Sequence, residues 1–371
     1  MKKLAIIGAN EFQNRLILKA KELGYETHVF AWQCGDIGEQ TANFFYPISI
    51  IEKEKILKIC RGIGIDGICS IASDLASITV NYVAENLGLP CNKTKYSSIQ
   101  TNKYEMRTEF MHAGIPCPKF VSVRFDEYKD DLLNGFTFPI IVKPTDRSGS
   151  RCIMKLDSFE GIKDAIEAAC KTSFEHKAII EEFIYGDEYS METITYRGRH
   201  HYLATTKKFT TGEPHFIETG HIEPSGLPDE INERAKEMIF KALDCLHVEN
   251  SAGHSEFRVD KDGNIRIIEI GARMGGDCIG SDLVQLSTGY DFVKMVIDVA
   301  CGNEPSFEKG NHYSMAQIKF ILNKFDYEEY ITLKRNEKAN IVYKSKMDLL
   351  VLDNTTNSAD RAGYYITREE R

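Results

Sequence analysis

The sequence predicts a protein that is α/β at its start and α+β beyond, and three observations predict it. Apolar strand-like runs alternate with helical patterns over residues 1–100, the signature of a parallel sheet wound right-handedly. Past residue 138, strand-like runs are joined by short turns, as antiparallel hairpins are. The stretch 254–277, HSEFRVDKDGNIRIIEIGARMGGD, carries Asp262-Gly263 between two such runs, and Asp-Gly is a strong short-range hairpin signal.

Residues 2–8 read as a buried strand, 11–23 as a helix with Leu16, Ile17 and Ala20 at helical spacing, and 26–32 as a second strand. A helix over 48–59, a strand over 66–71 and a helix over 75–87 follow. The shape is Rossmann-like, but Gly8 is followed by Ala9, Asn10 and Glu11. The GxGxxG fingerprint of dinucleotide binding is therefore absent. Residues 1–10 are expected to open this sheet rather than to form a signal peptide, because Asn10, Glu11, Gln13 and Asn14 interrupt the apolar run.

Bulk properties narrow the function. The chain has 371 residues, enough for two or three domains, with 42% hydrophobic and 27% charged residues. Its net charge of −9 comes without a basic block, which argues against nucleic-acid or anionic-membrane partners. No apolar run is long enough to span a bilayer. Ten cysteines are scattered without CxxC spacing, so reduced thiols in a cytoplasmic protein are expected rather than a disulfide framework or a zinc site.

A helix opens at Asn102-Lys103 and ends at Ala113-Gly114, before Pro116 and Pro118 mark a boundary. Residues 138–144 form a buried strand that carries Lys143, a cation that costs energy there unless an anion meets it. The small-residue loop with Ser148, Gly149 and Ser150 follows, suited to folding backbone N–H groups over phosphate oxygens. It lacks the P-loop pattern, and a strand over 152–156 follows it.

A helix over 159–169 precedes a strand over 178–184 that runs into polar residues 185–192. That edge could hold a flat base against its backbone and bring Glu188 near ribose hydroxyls. A hairpin over 195–208 turns at Arg197-Gly198, and residues 210–228, with no periodicity, read as a long loop holding His215, His221, Glu223 and Ser225. A helix over 229–246 leads to the 254–277 hairpin, and a helix over 281–300, interrupted at Gly289, follows it. The remainder alternates β-like runs with polar turns.

The hairpin carries the chemistry. With a two-residue turn at Asp262-Gly263, Glu256 lies directly opposite Glu269; a four-residue turn leaves them diagonal, and only an odd-length loop separates them. Facing carboxylates repel unless something positive lies between them. Mg²⁺ with phosphate oxygens is the natural candidate, with Arg258 or Lys261 as the ordinary alternative. Arg273, just past the strand, offers a planar cation to a transferred phosphoryl group.

Lys103, Lys143 with its Gly/Ser loop, Glu181-Glu182-Phe183, Glu188 and the Glu256, Glu269, Arg273 hairpin come in an order that resembles the ATP-grasp superfamily. The likeness is strongest to its carboxylate–amine ligases, such as L-amino-acid ligases, and to its biotin-carboxylase-like and carbamoyl-phosphate-synthase-like members, and it covers residues 1–302. It implies a Rossmann-like pre-ATP-grasp domain over 1–100 and a two-subdomain ATP-grasp core over 101–302, with a mobile lid at about 118–182. A small β-rich accessory domain would then span 303–371.

By resemblance, Lys103 and Lys143 contact ATP phosphates, and Ser148, Gly149 and Ser150 form the flap. Glu181, Glu182, Phe183 and Ile184 meet adenine, Glu188 binds ribose, and Glu256 and Glu269 ligate Mg²⁺ or Mn²⁺. Arg273 is the catalytic cation, while His221, Arg258 and Gly276 lie at the acceptor site. Such enzymes phosphorylate a carboxylate and couple it to an amine, releasing ADP. The alternatives are carboxyphosphate chemistry on bicarbonate and a nucleotide-binding protein without turnover. Dimers are common among similar enzymes. One departure is Gly271, where relatives commonly carry an asparagine that helps to hold a second ion.

Overall fold

The computed structural model describes residues 1–213, 216–336, 340–353 and 355–370; His215 lies outside them. In chain order the first elements are β1 (Lys3–Ile7), α1 (Glu11–Glu22), β2 (Glu26–Ala31), α2 (Ile37–Thr41), β3 (Phe44–Pro47), α3 (Lys53–Ile63), β4 (Gly67–Cys69) and α4 (Asp74–Leu87). Their strands form a four-stranded parallel sheet in the order β3-β2-β1-β4. Asn10 and Ser73 cap α1 and α4 through their side chains, and Gly64 and Gly88 end α3 and α4 in the left-handed conformation.

The helix expected over 48–59 is displaced to Lys53–Ile63, and α2 and β3 went unforeseen. Ile48 and Ile50 mimic a helical stripe, yet they pack from the β3–α3 connection onto the same core as Ile56 and Cys60. Tertiary burial, not periodicity, places them there.

Next come α5 (Ser97–Thr101), α6 (Lys103–His112), β5 (Phe120–Val123), β6 (Ile140–Pro144), β7 (Met154–Leu156), α7 (Ile162–Thr172) and β8 (Ala178–Glu182). The strands form a separate antiparallel sheet, β5-β8-β6-β7, covered by α7. Asn102 caps α6 by accepting from the N–H groups of Tyr104 and Glu105, so Lys103 begins the helix.

The third group is β9 (Asp187–Tyr196), β10 (Arg199–Thr210), β11 (Glu218–Glu223), α8 (Asp229–Cys245), β12 (Ser251–Val259), β13 (Ile265–Gly271), α9 (Val284–Thr288), α10 (Phe292–Ala300), β14 (Met315–Ile321), α11 (Lys324–Arg335), β15 (Ile341–Lys344) and β16 (Gly363–Glu369). All its strands join one eight-stranded sheet, β13-β12-β9-β10-β11-β14-β16-β15. The C-terminal strands thus extend the sheet that bears the hairpin.

The 210–228 segment is not a loop throughout. It contains β11, which pairs with β10 and β14. Gly220 admits it, since a Cβ there would lie 2.7 Å from the Ile318 carbonyl oxygen. Short length and buried polar residues hid this strand from pattern reading. Among the described residues, no helix is long and apolar enough to cross a membrane.

Candidate active site

Two extra residues decide which side chains face the site. Val259 pairs with Ile265, so the hairpin loop 260–264 has the odd length that should have separated Glu256 from Glu269. A β-bulge at Ile268 reverses the outcome, because Phe257 pairs with Ile267 while Glu256 pairs with Glu269. Ile265, Ile267 and Ile270 all reach one hydrophobic core, leaving Glu269 to face the other way. A second bulge at Leu203 shifts β10 so that Lys208, not Lys207, pairs with Glu188.

Between the eight-stranded sheet and the β5-β8-β6-β7 sheet lies a solvent-open cleft of about 1100 Å³. Lys103, Lys143, Ser148, Gly149, Ser150, Glu181, Glu182, Phe183, Ile184, Glu188, Glu256, Arg258, Glu269 and Arg273 all line it. Residues distant in sequence thereby come together, and most of their charges meet an opposite charge.

Lys103 Nζ lies 2.9 Å from Glu269 Oε1 and donates to the Arg147 carbonyl at 2.7 Å. Lys208 Nζ bonds Glu256 and lies 3.3 Å from Glu188 and 3.9 Å from Glu218. The facing carboxylates are therefore neutralised by lysines from other elements, not by Arg258 or Lys261. Burial disfavours the Lys208 charge, but Glu256 and Glu188 outweigh it and push its pKa up.

Lys143 is met by Glu181, as a lysine on a buried strand requires. Arg107, itself buried, approaches the other Glu181 oxygen at 3.1 Å and donates to the Ile268 carbonyl at 2.5 Å. Burial alone would raise the Glu181 pKa, but Arg107 and then Lys143 bring it down to about 2. For Lys143, burial dominates and lowers the pKa, with Glu181 opposing. The Glu181 side chain is thus committed to holding cations, and its backbone is paired with β5 and β6 in the sheet, so the expectation that it meets adenine is not met.

Arg258 was expected at the acceptor end. Instead it donates to Glu188 at 3.0 and 3.2 Å and to the Ile184 carbonyl at 2.6 Å, with its guanidinium 4.9 Å from the Phe183 ring centre. Its register partner across β9 is Glu188, so it belongs to the end where the base and ribose were expected.

Arg273 makes a two-pronged ion pair with Asp74 of α4, at 2.8 and 3.1 Å. Gly271 makes room for this pair, since a Cβ there would lie 2.9 Å from Asp74 Oδ1 and 3.0 Å from Arg273 Cζ. Asp74, Arg107, Lys208, Glu218 and His254 all went unread in the sequence. Lys208, like Lys143, is a buried lysine on a strand and needs an anion for the same reason.

His221 and Gly276 do not line the cleft. His221 is fully buried on β11, 3.7 Å from Asp277, and burial lowers its pKa. The expectation that it lies in a loop over the acceptor site is overturned. Gly276 packs against Ala72, whose Cβ would stand 3.3 Å from any Cβ at 276. Nearby, Arg361 clasps Asp277 at 2.6 and 2.8 Å. His254, buried and hydrogen-bonded to Glu192, lies 3.4 Å from Glu256. Burial opposes its charge, but Glu192 and Glu256 raise its pKa to about 9.

Residues 136–282 match the ATP-grasp domain. Over 280 residues the chain is 28% identical to an alanine–anticapsin ligase of Bacillus subtilis, covering 69% of this chain and 58% of that protein. Over 212 residues it is 26% identical to a D-alanine–D-alanine ligase of Geobacter sulfurreducens, covering 53% and 63%. The chain thus spans little more than half the length of the first of these relatives. The crystal structure of an L-amino acid ligase from Bacillus licheniformis shares the fold, with a TM-score of 0.80 at 22% identity, covering 100% of this chain and 94% of that one.

Proposed function

From the premise that residues 136–282 are an ATP-grasp domain, we propose that the protein is an ADP-forming ligase of the cytoplasm that phosphorylates a small carboxylate and couples it to an amine. The observation that carries this reading is the matched charge of the cleft, where Lys103 and Lys208 hold Glu269 and Glu256. A metal nucleotide can exchange the partners of both pairs, its phosphates taking the lysines and its metal the carboxylates, so that each side chain keeps an opposite charge. The named ligases among its relatives support the choice of carboxylate and amine.

Two facing carboxylates suit Mg²⁺, which takes one or two from protein and completes its shell with phosphate and water. Among the described residues no group of three His, Cys, Asp or Glu side chains could hold a metal ion, so a metal here would depend on the nucleotide for further ligands. Glu256 and Glu269 would hold it, and its charge would offset that of the phosphates.

The chain's own part is positioning and charge stabilisation, as phosphoryl transfer requires. Lys143, Lys103 and Lys208 would orient the phosphates under the Ser148-Gly149-Ser150 loop. Phe183 and Ile184 would flank the base, and Glu188, fixed by Arg258, would meet the ribose. Arg273, aimed by Asp74, would stabilise the transferred phosphoryl group and then the acyl phosphate, from which the amine displaces phosphate.

The test is ADP release from Mg-ATP across pooled carboxylates and amines, with bicarbonate alone as a separate arm and Glu269→Ala as the blank. Release that needs both pools is expected. Release with bicarbonate alone would favour carboxyphosphate chemistry, and nucleotide binding without release in any arm would overturn the ligase reading.

A further inference from the structure

One buried carboxylate stands outside the cleft lining yet touches two of the elements that build it. Glu192, in the middle of β9, has no exposed surface. Burying an ionised carboxylate is costly unless its oxygens are occupied. One oxygen bonds Nδ1 of His254, its direct register partner on β12. The other accepts the backbone N–H of Gly275 at 3.0 Å, two residues beyond Arg273.

The turn is pressed onto this carboxylate. A Cβ at Gly275 would lie 2.7 Å from His254 Nδ1 and 2.9 and 3.0 Å from the two Glu192 oxygens. On its other side the same turn is tied to the first domain, where the Ala72 N–H donates to the Met274 carbonyl at 3.1 Å. Arg273 is therefore held between an anchor from β9 and anchors from the α4 end of the first domain.

We propose that Glu192 is a positioning residue, which clamps the 273–276 turn to β12 and thereby places Arg273 for phosphoryl and acyl transfer. This rests on the ligase reading given above. Glu192 does not line the cleft, and His254, which does, keeps Glu256 as the neighbour of its other ring nitrogen, so the loss of Glu192 should act more on turnover than on nucleotide affinity.

Three variants test it: Glu192→Ala removes both bonds, Glu192→Gln keeps an oxygen for the Gly275 amide, and Gly275→Ala forces the turn away from an intact Glu192. The readouts are kcat, KM for ATP, affinity for Mg-ADP, thermal midpoint, and amide hydrogen exchange over 272–277. Displacing a reacting group by about 1 Å can cost roughly a hundredfold in rate. Glu192→Ala and Gly275→Ala should lose about that in kcat, keep Mg-ADP affinity within about threefold, and exchange faster over 272–277. Glu192→Gln should retain more activity than Glu192→Ala.

Unchanged kcat in all three would overturn the proposal. So would a parallel fall of kcat, Mg-ADP affinity and thermal midpoint, which marks a merely structural residue. If Glu192→Ala does not fold, Gly275→Ala and Glu192→Gln decide. If the wild type releases no ADP with any substrate, the ligase reading fails, while the exchange measurement still decides whether Glu192 clamps the turn.

Discussion

Glu256 and Glu269 face one another across β12 and β13 because Ile268 is an extra residue in the second strand. The bulge carbonyl accepts from Arg107, and Arg107 also holds Glu181, the partner of Lys143. The geometry of the two carboxylates is thereby linked to the lysine on the opposite sheet.

If these carboxylates hold the metal nucleotide, Glu269→Ala should abolish ADP formation through weaker Mg-nucleotide binding. Arg273→Ala should instead lower kcat by about 10²–10³-fold, the usual loss for one charge-stabilising group, with nucleotide affinity largely kept. Titration with Mg-ADP beside steady-state kinetics separates the two. Near-normal turnover in both variants would sink the assignment.

Lys143→Ala should weaken ATP binding while the fold survives, because Glu181 keeps Arg107 as its partner. A nucleotide affinity equal to that of the wild type would make Lys143 a structural residue.

Arg107→Ala should be more damaging to the fold. It removes a buried charge partner of Glu181 and the donor to the Ile268 carbonyl, a class of change that costs about 3–5 kcal/mol. Denaturant unfolding would measure it, and a loss below about 1 kcal/mol would mean that Lys143 alone satisfies Glu181.

Glu223 supplies a pH prediction. Burial pushes its carboxyl up to about 8, with the hydroxyls of Thr206 and Ser287 at 2.5 and 2.7 Å opposing only in part. The folded state therefore holds a proton that the unfolded chain releases near its ordinary value of 4.5. Stability contributed by this group is full below about pH 4.5, falls as pH rises towards 8, and is flat above. Glu223→Gln should flatten that part of the stability curve and gain relative to the wild type at alkaline pH. Unfolding at pH 5, 7 and 9 would show it, and identical slopes in both proteins would refute it.

Local chemistry was enough to read much of this protein from its residues. Alternating strands and helices gave the parallel first sheet, because apolar period and chain punctuation are local properties. A lysine on an apolar strand demanded an anion, and an Asp-Gly hairpin with two glutamates demanded a cation. Both demands are met, though by Glu181 and by Lys103 and Lys208.

Only the tertiary structure decided which side chains face the cleft. The bulges at Ile268 and Leu203 each reverse the parity of a strand, and nothing in the local pattern announces a bulge whose cause is packing on both faces of a sheet. The ion pair between Arg273 and Asp74, the burial of His221 in β11 and the clasp of Arg361 on Asp277 depend likewise on segments far apart in the chain. Periodicity reports which residues want to be buried; the partner that a buried charge finds is fixed only when the sheets close.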